Sequence, residues 1–195
     1  METKSKRWKT LKSEYLIRRP WLTARRDVVQ LPNGIVNDEF YVLEYPDWVN
    51  VIAITGDGKF VFVRQYRYGL DLDSVELCAG VAEPGEKPVE SAQRELLEET
   101  GYGGGSWKEI MTIGQNPSTC NNWTHCFVAT GVERLSDQRL DPTEDIDVVL
   151  LSREQVLEMM MRDQLKQALM LAPLWRYFAI EDKTTIQEIA NTNNG

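Results

Sequence analysis

Cysteine and histidine, the residues that most often build disulfides and zinc sites, are scarce in this chain of 195 residues. It has three cysteines, an odd number with no Cys-x-x-Cys pair, and a single histidine, His125. These counts argue against a disulfide framework or a zinc centre and favour a reducing compartment. Catalysis by a serine or cysteine nucleophile would need His125 as its base, and no nucleophile motif accompanies it. We therefore predict a structural role for His125.

Long apolar runs are also lacking. The longest, residues 168–175, is interrupted by Pro173 and is too short to span a bilayer. The N-terminus is polar and basic and lacks the apolar centre of a signal peptide. These features predict a cytoplasmic protein. The net charge of −8 further argues against nucleic acid or an anionic membrane surface as a partner.

Charge is distributed unevenly along the chain. Residues 1–30 hold nine basic and three acidic side chains, so this segment carries +6 and the remainder carries −14. Such asymmetry indicates that the basic segment faces something acidic. We expect it to contact either an acidic partner subunit or the phosphates of a substrate.

Strand signals fill the first half of the chain. The β-prone segments 22–31 and 35–44 flank Asn33-Gly34, the strongest short hairpin signal. Gly56-Asp57-Gly58 separates two further β-prone segments and predicts a second hairpin. No linker or repeat interrupts the chain, so we predict one catalytic domain with an N-terminal β extension.

Helical signals begin after residue 87. Pro88 suits the first turn of a helix and Gly101 suits its C-terminal end, which predicts a helix over 88–100. Ser152 and Gln155 form a capping box that predicts the start of a second helix. Strands followed by helices indicate the α+β class.

Three glutamates lie on one face of the first predicted helix. Glu95, Glu98 and Glu99 stand at i, i+3 and i+4, so their carboxylates are neighbours and repel each other. Carboxylate oxygens grouped in this way suit Mg²⁺ or Mn²⁺, and a divalent ion would turn the repulsion into coordination. A solvated acidic face is the alternative for such a pattern taken alone.

The surrounding sequence resembles the Nudix box. The pattern runs from residue 80 to residue 102 as Gly80-x5-Glu86-x7-Arg94-Glu95-Leu96-x-Glu98-Glu99-x-Gly101-Tyr102. Seven fixed letters at these spacings arise by chance on the order of 10⁻⁸ times per start position. Gly80 and Gly85 also have the spacing of a P-loop, but Glu86 stands where that motif requires lysine.

The resemblance to the Nudix hydrolases implies the fold and the domain organisation. The fold would be an α/β/α sandwich with a mixed central sheet, preceded by an antiparallel β extension. We expect the extension over 1–45, the hydrolase domain over 46–190 with its box at 80–102, and a disordered tail over 191–195. We also expect the N-terminal strands to form a homodimer.

The same resemblance implies a metal site. Glu95, Glu98 and Glu99 would ligate Mg²⁺ or Mn²⁺ together with the main-chain carbonyl of Ala79. Glu86 and Arg94 would support the geometry of the box. The backbone N–H groups at the junction of the loop and the helix would also be available to bind an anion.

A second resemblance extends beyond the box. Residues 63–67 and 75–80 are similar to segments of ADP-ribose pyrophosphatases and related nucleotide-sugar diphosphatases, which usually have proline in place of Cys78. It implies a general base at Glu144, with a box glutamate as the alternative. It further implies substrate-binding roles for Arg67, Arg64, Trp21, Glu76 and Pro117.

The predicted reaction is the Mg²⁺-dependent hydrolysis of ADP-ribose to AMP and ribose 5-phosphate. GDP-mannose and other nucleotide sugars stay open, since the segment 43–45 lacks a basic residue usual after an aromatic in ADP-ribose enzymes. A Nudix domain that senses a nucleotide without hydrolysing it is another alternative. An isomerase of the same fold would need more histidines than His125.

Overall fold

The computed structural model describes residues 5–181 and separates into two units. The N-terminal unit contains the chain up to residue 46 together with residues 114–123. The larger unit contains residues 47–113 and continues from residue 124. The predicted tail over 191–195 and the last nine residues of the predicted hydrolase domain lie outside the described residues.

The N-terminal unit is a three-stranded antiparallel sheet in the order β1-β2-β3. Its strands are β1 Lys9–Arg19, β2 Leu22–Gln30 and β3 Val36–Glu44. The predicted Asn33-Gly34 hairpin is confirmed, since Gly34 has a φ of +88° and joins β2 to β3. Every residue of β1 is exposed, so the strand has no buried face of its own.

The larger unit contains a seven-stranded mixed sheet in the order β10-β5-β6-β4-β9-β7, with β8 beside β9. β4 and β9 are parallel, whereas β10, β5, β6 and β4 are antiparallel neighbours. The strands are β4 Trp48–Thr55, β5 Phe60–Arg67, β6 Leu72–Val81, β7 Tyr102–Gly103, β8 Ser106–Gly114, β9 Trp123–Arg134 and β10 Asp147–Leu151.

Residues 5–181 contain three α-helices, and the first two begin where the sequence predicts. α1 Pro88–Thr100 ends at Gly101, which has a φ of +74° and donates its N–H to Leu97. The Ser152 capping box begins α2 Arg153–Met161. The third helix, α3 Ala168–Arg176, contains Pro173 and continues into a π-helical turn, Tyr177–Glu181. Within residues 5–181, none of these helices combines the length and apolar character needed to cross a bilayer.

Two buried clusters cover the two faces of the larger sheet. One cluster packs Ala92 and Leu96 of α1 against alternate strand residues, among them Val49, Val51 and Cys78. The other packs α2, α3 and the π-helical turn on the opposite face, among them Ile52, Phe62, Leu77, Val156, Leu174 and Phe178. Burying a large apolar side chain contributes roughly 1.5–3 kcal/mol, so both helical layers are held mainly by this packing. The predicted α/β/α sandwich is confirmed.

Candidate active site

The helix α1 approaches strand β6 closely at Gly80. A Cβ atom on Gly80 would overlap the carboxylate of Glu95, so any other residue at position 80 would require that carboxylate to move. One helical turn farther, the Glu99 carboxylate accepts a hydrogen bond from the backbone N–H of Ala79 at 3.3 Å. The two elements thereby place both carboxylates against β6.

Arg94 connects the acidic groups of the box. Its Nη1 donates to Glu95 Oε1 at 2.9 Å and to Glu98 Oε2 at 3.1 Å. Its Nη2 donates to Glu86 Oε2 at 3.2 Å and to the carbonyl of Val81 at 3.0 Å. The hydrogen bond from Arg94 is the main cause that lowers the pKa of Glu86. One guanidinium thus offsets the repulsion among three carboxylates and fixes the loop before α1.

Glu99 is the most deeply buried of the three helical glutamates. Burial raises its pKa to about 7, and the charges of Glu95 and Glu144 act in the same direction. Hydrogen bonds from the Cys78 thiol and the Ala79 N–H oppose this rise. The carboxylate therefore occupies an environment in which a nearby cation would favour its charged form.

The donor set fits a hard divalent ion. In the part of the chain that the structure describes, no three His, Cys, Asp or Glu side chains converge in a ligand arrangement, and Arg94 holds two of the box glutamates. The available donors are nevertheless oxygens of Glu95, Glu98 and Glu99, which Mg²⁺ and Mn²⁺ prefer. The Glu95 carboxylate fills the space beside Gly80. This donor therefore lies next to the C-terminal end of β6.

Arg67 is held beside the acidic helix. Its Nε and Nη2 donate to the two carboxylate oxygens of Glu76 at 3.0 and 2.5 Å, and Glu76 is only 2% exposed. The hydrogen bond to Glu76 is the main cause that raises the pKa of Arg67, and the charge of Glu99 adds to it. Arg67 and Glu76 lie on the face of the sheet against which α1 packs. Arg64 stands three residues earlier in β5 and therefore on the other face of the strand, where it pairs with Asp147 at 2.5 Å. The structure does not bring Arg64 and Arg67 together.

Glu144 lies in the loop between β9 and β10. It is exposed, its Oε2 accepts from the N–H of Asp141 at 2.9 Å, and its charge adds to the raised pKa of Glu99. Gln138 lies in the same loop and is not among the residues predicted from the sequence. Its Nε2 donates to the carbonyls of Glu99 and Ile146. No motif marks this glutamine, because its partners are backbone atoms distant in sequence.

Two predicted substrate residues belong to the N-terminal unit. Trp21 lies in the turn between β1 and β2 and is 80% exposed, and Pro117 lies in segment 114–123. Contact of these residues, and of Arg64, with the substrate stays a prediction. His125 contacts Glu109 at 2.8 Å across β8 and β9, which agrees with a structural role.

Comparison with known families covers both units. A family model described as a NUDIX domain matches residues 44–171. A second, described as a nucleoside diphosphate sugar hydrolase N-terminal domain, matches residues 8–43. The chain belongs to the Nudix family. The resemblance predicted from the box is thereby confirmed.

The Nudix relatives of this chain are named for different activities. The chain is 32% identical over 157 residues to the ADP-ribose pyrophosphatase of Bacillus subtilis (strain 168), covering 80% of this chain and 84% of that protein. It is 34% identical over 151 residues to the methanol dehydrogenase activator of Bacillus methanolicus, covering 77% and 81%. It is 29% identical over 107 residues to a GDP-mannose pyrophosphatase of Enterobacter sp. (strain 638), covering 51% and 56%.

A solved structure supports the fold of this Nudix chain. The crystal structure of an ADP compounds hydrolase superposes with a TM-score of 0.77, covering 89% of this chain and 94% of that one. Its sequence identity is 21%, so the likeness concerns the fold. The predicted Nudix fold is confirmed.

The raised pKa of Glu99 predicts a pH dependence of stability. In the unfolded chain this carboxyl titrates near its ordinary value of 4.5, so the folded protein binds the proton more tightly. The resulting stabilisation is complete below about pH 4.5 and is lost as the pH rises through about 7. With a chelator present, the contribution of Glu99 to the free energy of unfolding should fall by about 2 kcal/mol between pH 5.5 and pH 8.5.

Urea denaturation at these two pH values tests this. Glu99→Gln should remove the loss, whereas the matched surface variant Glu133→Gln should keep it. An equal pH dependence in wild type and Glu99→Gln would contradict the burial argument.

Proposed function

We propose that this chain hydrolyses the pyrophosphate bond of a nucleoside diphosphate sugar, with ADP-ribose as the first candidate substrate. The observation that carries the proposal is that Arg67, fixed by Glu76, lies on the face of the sheet against which the acidic helix α1 packs. A metal-binding group and a phosphate-binding group on one face of one sheet match a diphosphate substrate. The N-terminal family model and the ADP-ribose and GDP-mannose pyrophosphatase relatives support the same substrate class.

The metal in this proposal is Mg²⁺, with Mn²⁺ as a substitute. Glu95, Glu98, Glu99 and the carbonyl of Ala79 would hold it. When bound, a divalent ion neutralises charge on the phosphate oxygens and lowers the pKa of water. Arg94 and Glu86 act on the helix face by keeping the box loop and the ligands in position.

The side chains of the chain supply the remaining steps. Arg67 binds a non-bridging phosphate oxygen, and Glu76 keeps its guanidinium oriented. A water oxygen forms a bond to phosphorus while the bridging P–O bond breaks and its electron pair leaves on the departing phosphate. We assign Glu144 as the base whose carboxylate takes the water proton, with a box glutamate as the alternative.

Product analysis tests the reaction class. The protein is incubated with Mg²⁺ and ADP-ribose, GDP-mannose, NADH or a diadenosine polyphosphate. AMP and ribose 5-phosphate from ADP-ribose would support the first candidate, and GMP with mannose 1-phosphate would support the second. Tight binding of a nucleotide sugar without turnover would instead favour a nucleotide-sensing domain and overturn the proposal.

The side chain of Arg67 is expected to contribute more to kcat/KM than that of a surface arginine. Arg67→Gln removes the positive charge and the bidentate partner of Glu76, leaving that buried carboxylate unpaired. We expect kcat/KM to fall by roughly 100-fold, while Arg162→Gln, at the residue after α2, stays near wild type. Steady-state kinetics of these variants provide the measurement, and Arg64→Gln beside them tests the predicted phosphate contact of Arg64. An unchanged kcat/KM in Arg67→Gln would refute the role of Arg67.

We also propose a homodimer formed through the N-terminal strands. β1 is exposed along its whole length, and this part of the unit presents large apolar side chains to solvent: Trp8, Leu11, Tyr15, Leu16, Ile17, Trp21 and Leu22. Exposed apolar patches of this kind mark protein interfaces. The cationic side chains of the same strands suit an acidic partner surface.

A charge placed on β1 should separate the subunits. Leu16→Lys introduces a charge that would be buried in such an interface, whereas Ile35→Lys lies in the exposed β2–β3 turn. Light scattering after size-exclusion chromatography should give a monomer for Leu16→Lys and a dimer for wild type and Ile35→Lys. A dimeric Leu16→Lys protein, or a monomeric wild type, would contradict this interface.

A further inference from the structure

The loop between β9 and β10 closes the C-terminal end of α1. A helix leaves its last carbonyls without intrahelical partners. Here the N–H groups of Leu135 and Ser136 donate to the carbonyl of Gly101, at 2.8 and 3.2 Å. The N–H of Arg139 donates to the carbonyl of Glu98 at 2.9 Å. The loop is therefore attached to the same turn of α1 that carries two of the helical carboxylates.

Gln138 makes a further attachment, through its side chain. Its Nε2 donates to the carbonyl of Glu99 at 2.6 Å and to the carbonyl of Ile146 at 2.9 Å. Both amide hydrogens are thus used, one on the helix and one at the residue before β10. The half-buried side chain of Gln138 therefore links the C-terminal end of α1 to the last residue of the loop.

The bridged segment contains Glu144. Two residues before Ile146, Glu144 closes a small turn in which its N–H donates to Asp141 and its carboxylate accepts from Asp141, both at 2.9 Å. This turn shapes the loop locally but does not connect it to α1. Beside the backbone bond of Arg139 to α1, the side chain of Gln138 joins the helix to the Ile146 end of the loop.

We propose that Gln138 is a positioning residue that holds Glu144 at a fixed place relative to the carboxylates of α1. It does so by tying the carbonyl of Glu99 to that of Ile146. For the catalytic consequence, the inference rests on the proposed hydrolysis with Glu144 as its base. Positioning of this kind matters because a displacement of about 1 Å in a catalytic group can cost about 100-fold in rate.

The side-chain chemistry explains the choice of glutamine. Two carbonyl oxygens need donors, and a primary amide provides two hydrogens from one nitrogen. Methionine has a similar length without donors, and glutamate would bring an acceptor to two carbonyls. Gln138→Met therefore removes the bridge with little change of volume, whereas Gln138→Asn keeps the amide on a shorter arm.

Hydrogen–deuterium exchange tests the structural half of the inference on the full chain. In Gln138→Met, amides of residues 139–146 should exchange about tenfold faster than in wild type. Gln138→Asn should lie between them, and Asp137→Asn, whose exposed carboxylate pairs with Arg134, should match wild type. Melting temperatures of the same samples separate loop release from general unfolding. Unchanged exchange in 139–146, or faster exchange throughout the chain, would overturn the inference.

Kinetics with the substrate identified by product analysis test the catalytic half. Gln138→Met should lower kcat about tenfold and leave KM within about twofold, since Arg67 and the helix face are untouched. In a Glu144→Gln background the same substitution should have no further effect, because both changes act on one group. A full additional loss in that background, or an unchanged kcat, would contradict positioning of Glu144. If wild type hydrolysed no nucleotide sugar, the proposed function would fail, while the exchange result would still decide whether Gln138 anchors the loop.

Discussion

The candidate site depends on the close contact between α1 and β6. Gly80 lacks a side chain where the Glu95 carboxylate lies, so this carboxylate rests on the strand. Glu99 is buried one turn farther along and bonds to Ala79. Any larger residue at position 80 would displace the Glu95 carboxylate. The remaining features of the site follow from this contact, since Arg94 and the loop after β9 both attach to the same helix.

Charge compensation explains how an acidic protein can act on an anionic substrate. Three neighbouring carboxylates on α1 repel each other, and Arg94 reduces that repulsion through contacts with Glu86, Glu95 and Glu98. A divalent ion at such a site would invert the local potential that the substrate phosphates meet. Arg67 adds a positive charge that is kept in place by a buried glutamate rather than by solvent. The net charge of −8 is therefore a poor guide to the potential at the site.

Local signals predicted much of the fold and the acidic face. The Asn33-Gly34 hairpin and the helix between Pro88 and Gly101 depend on turn and cap preferences of a few adjacent residues, and both were correct. The phosphate contact of Arg64 stays a prediction, and its separation of three from Arg67 puts the two side chains on opposite faces of one strand. Gln138 could not be predicted, since its partners are carbonyls of Glu99 and Ile146 brought together only by the fold.

A titration of Mn²⁺ into chelator-treated protein, followed by calorimetry, tests the dependence on the α1–β6 contact most directly. The comparison uses wild type, Gly80→Ala and Gly56→Ala, the last of which places a methyl group in open space. The structure predicts that Gly80→Ala stays folded by circular dichroism but binds Mn²⁺ at least about tenfold more weakly. Gly56→Ala should bind like wild type. Equal Mn²⁺ affinity in all three proteins would contradict the account of this site.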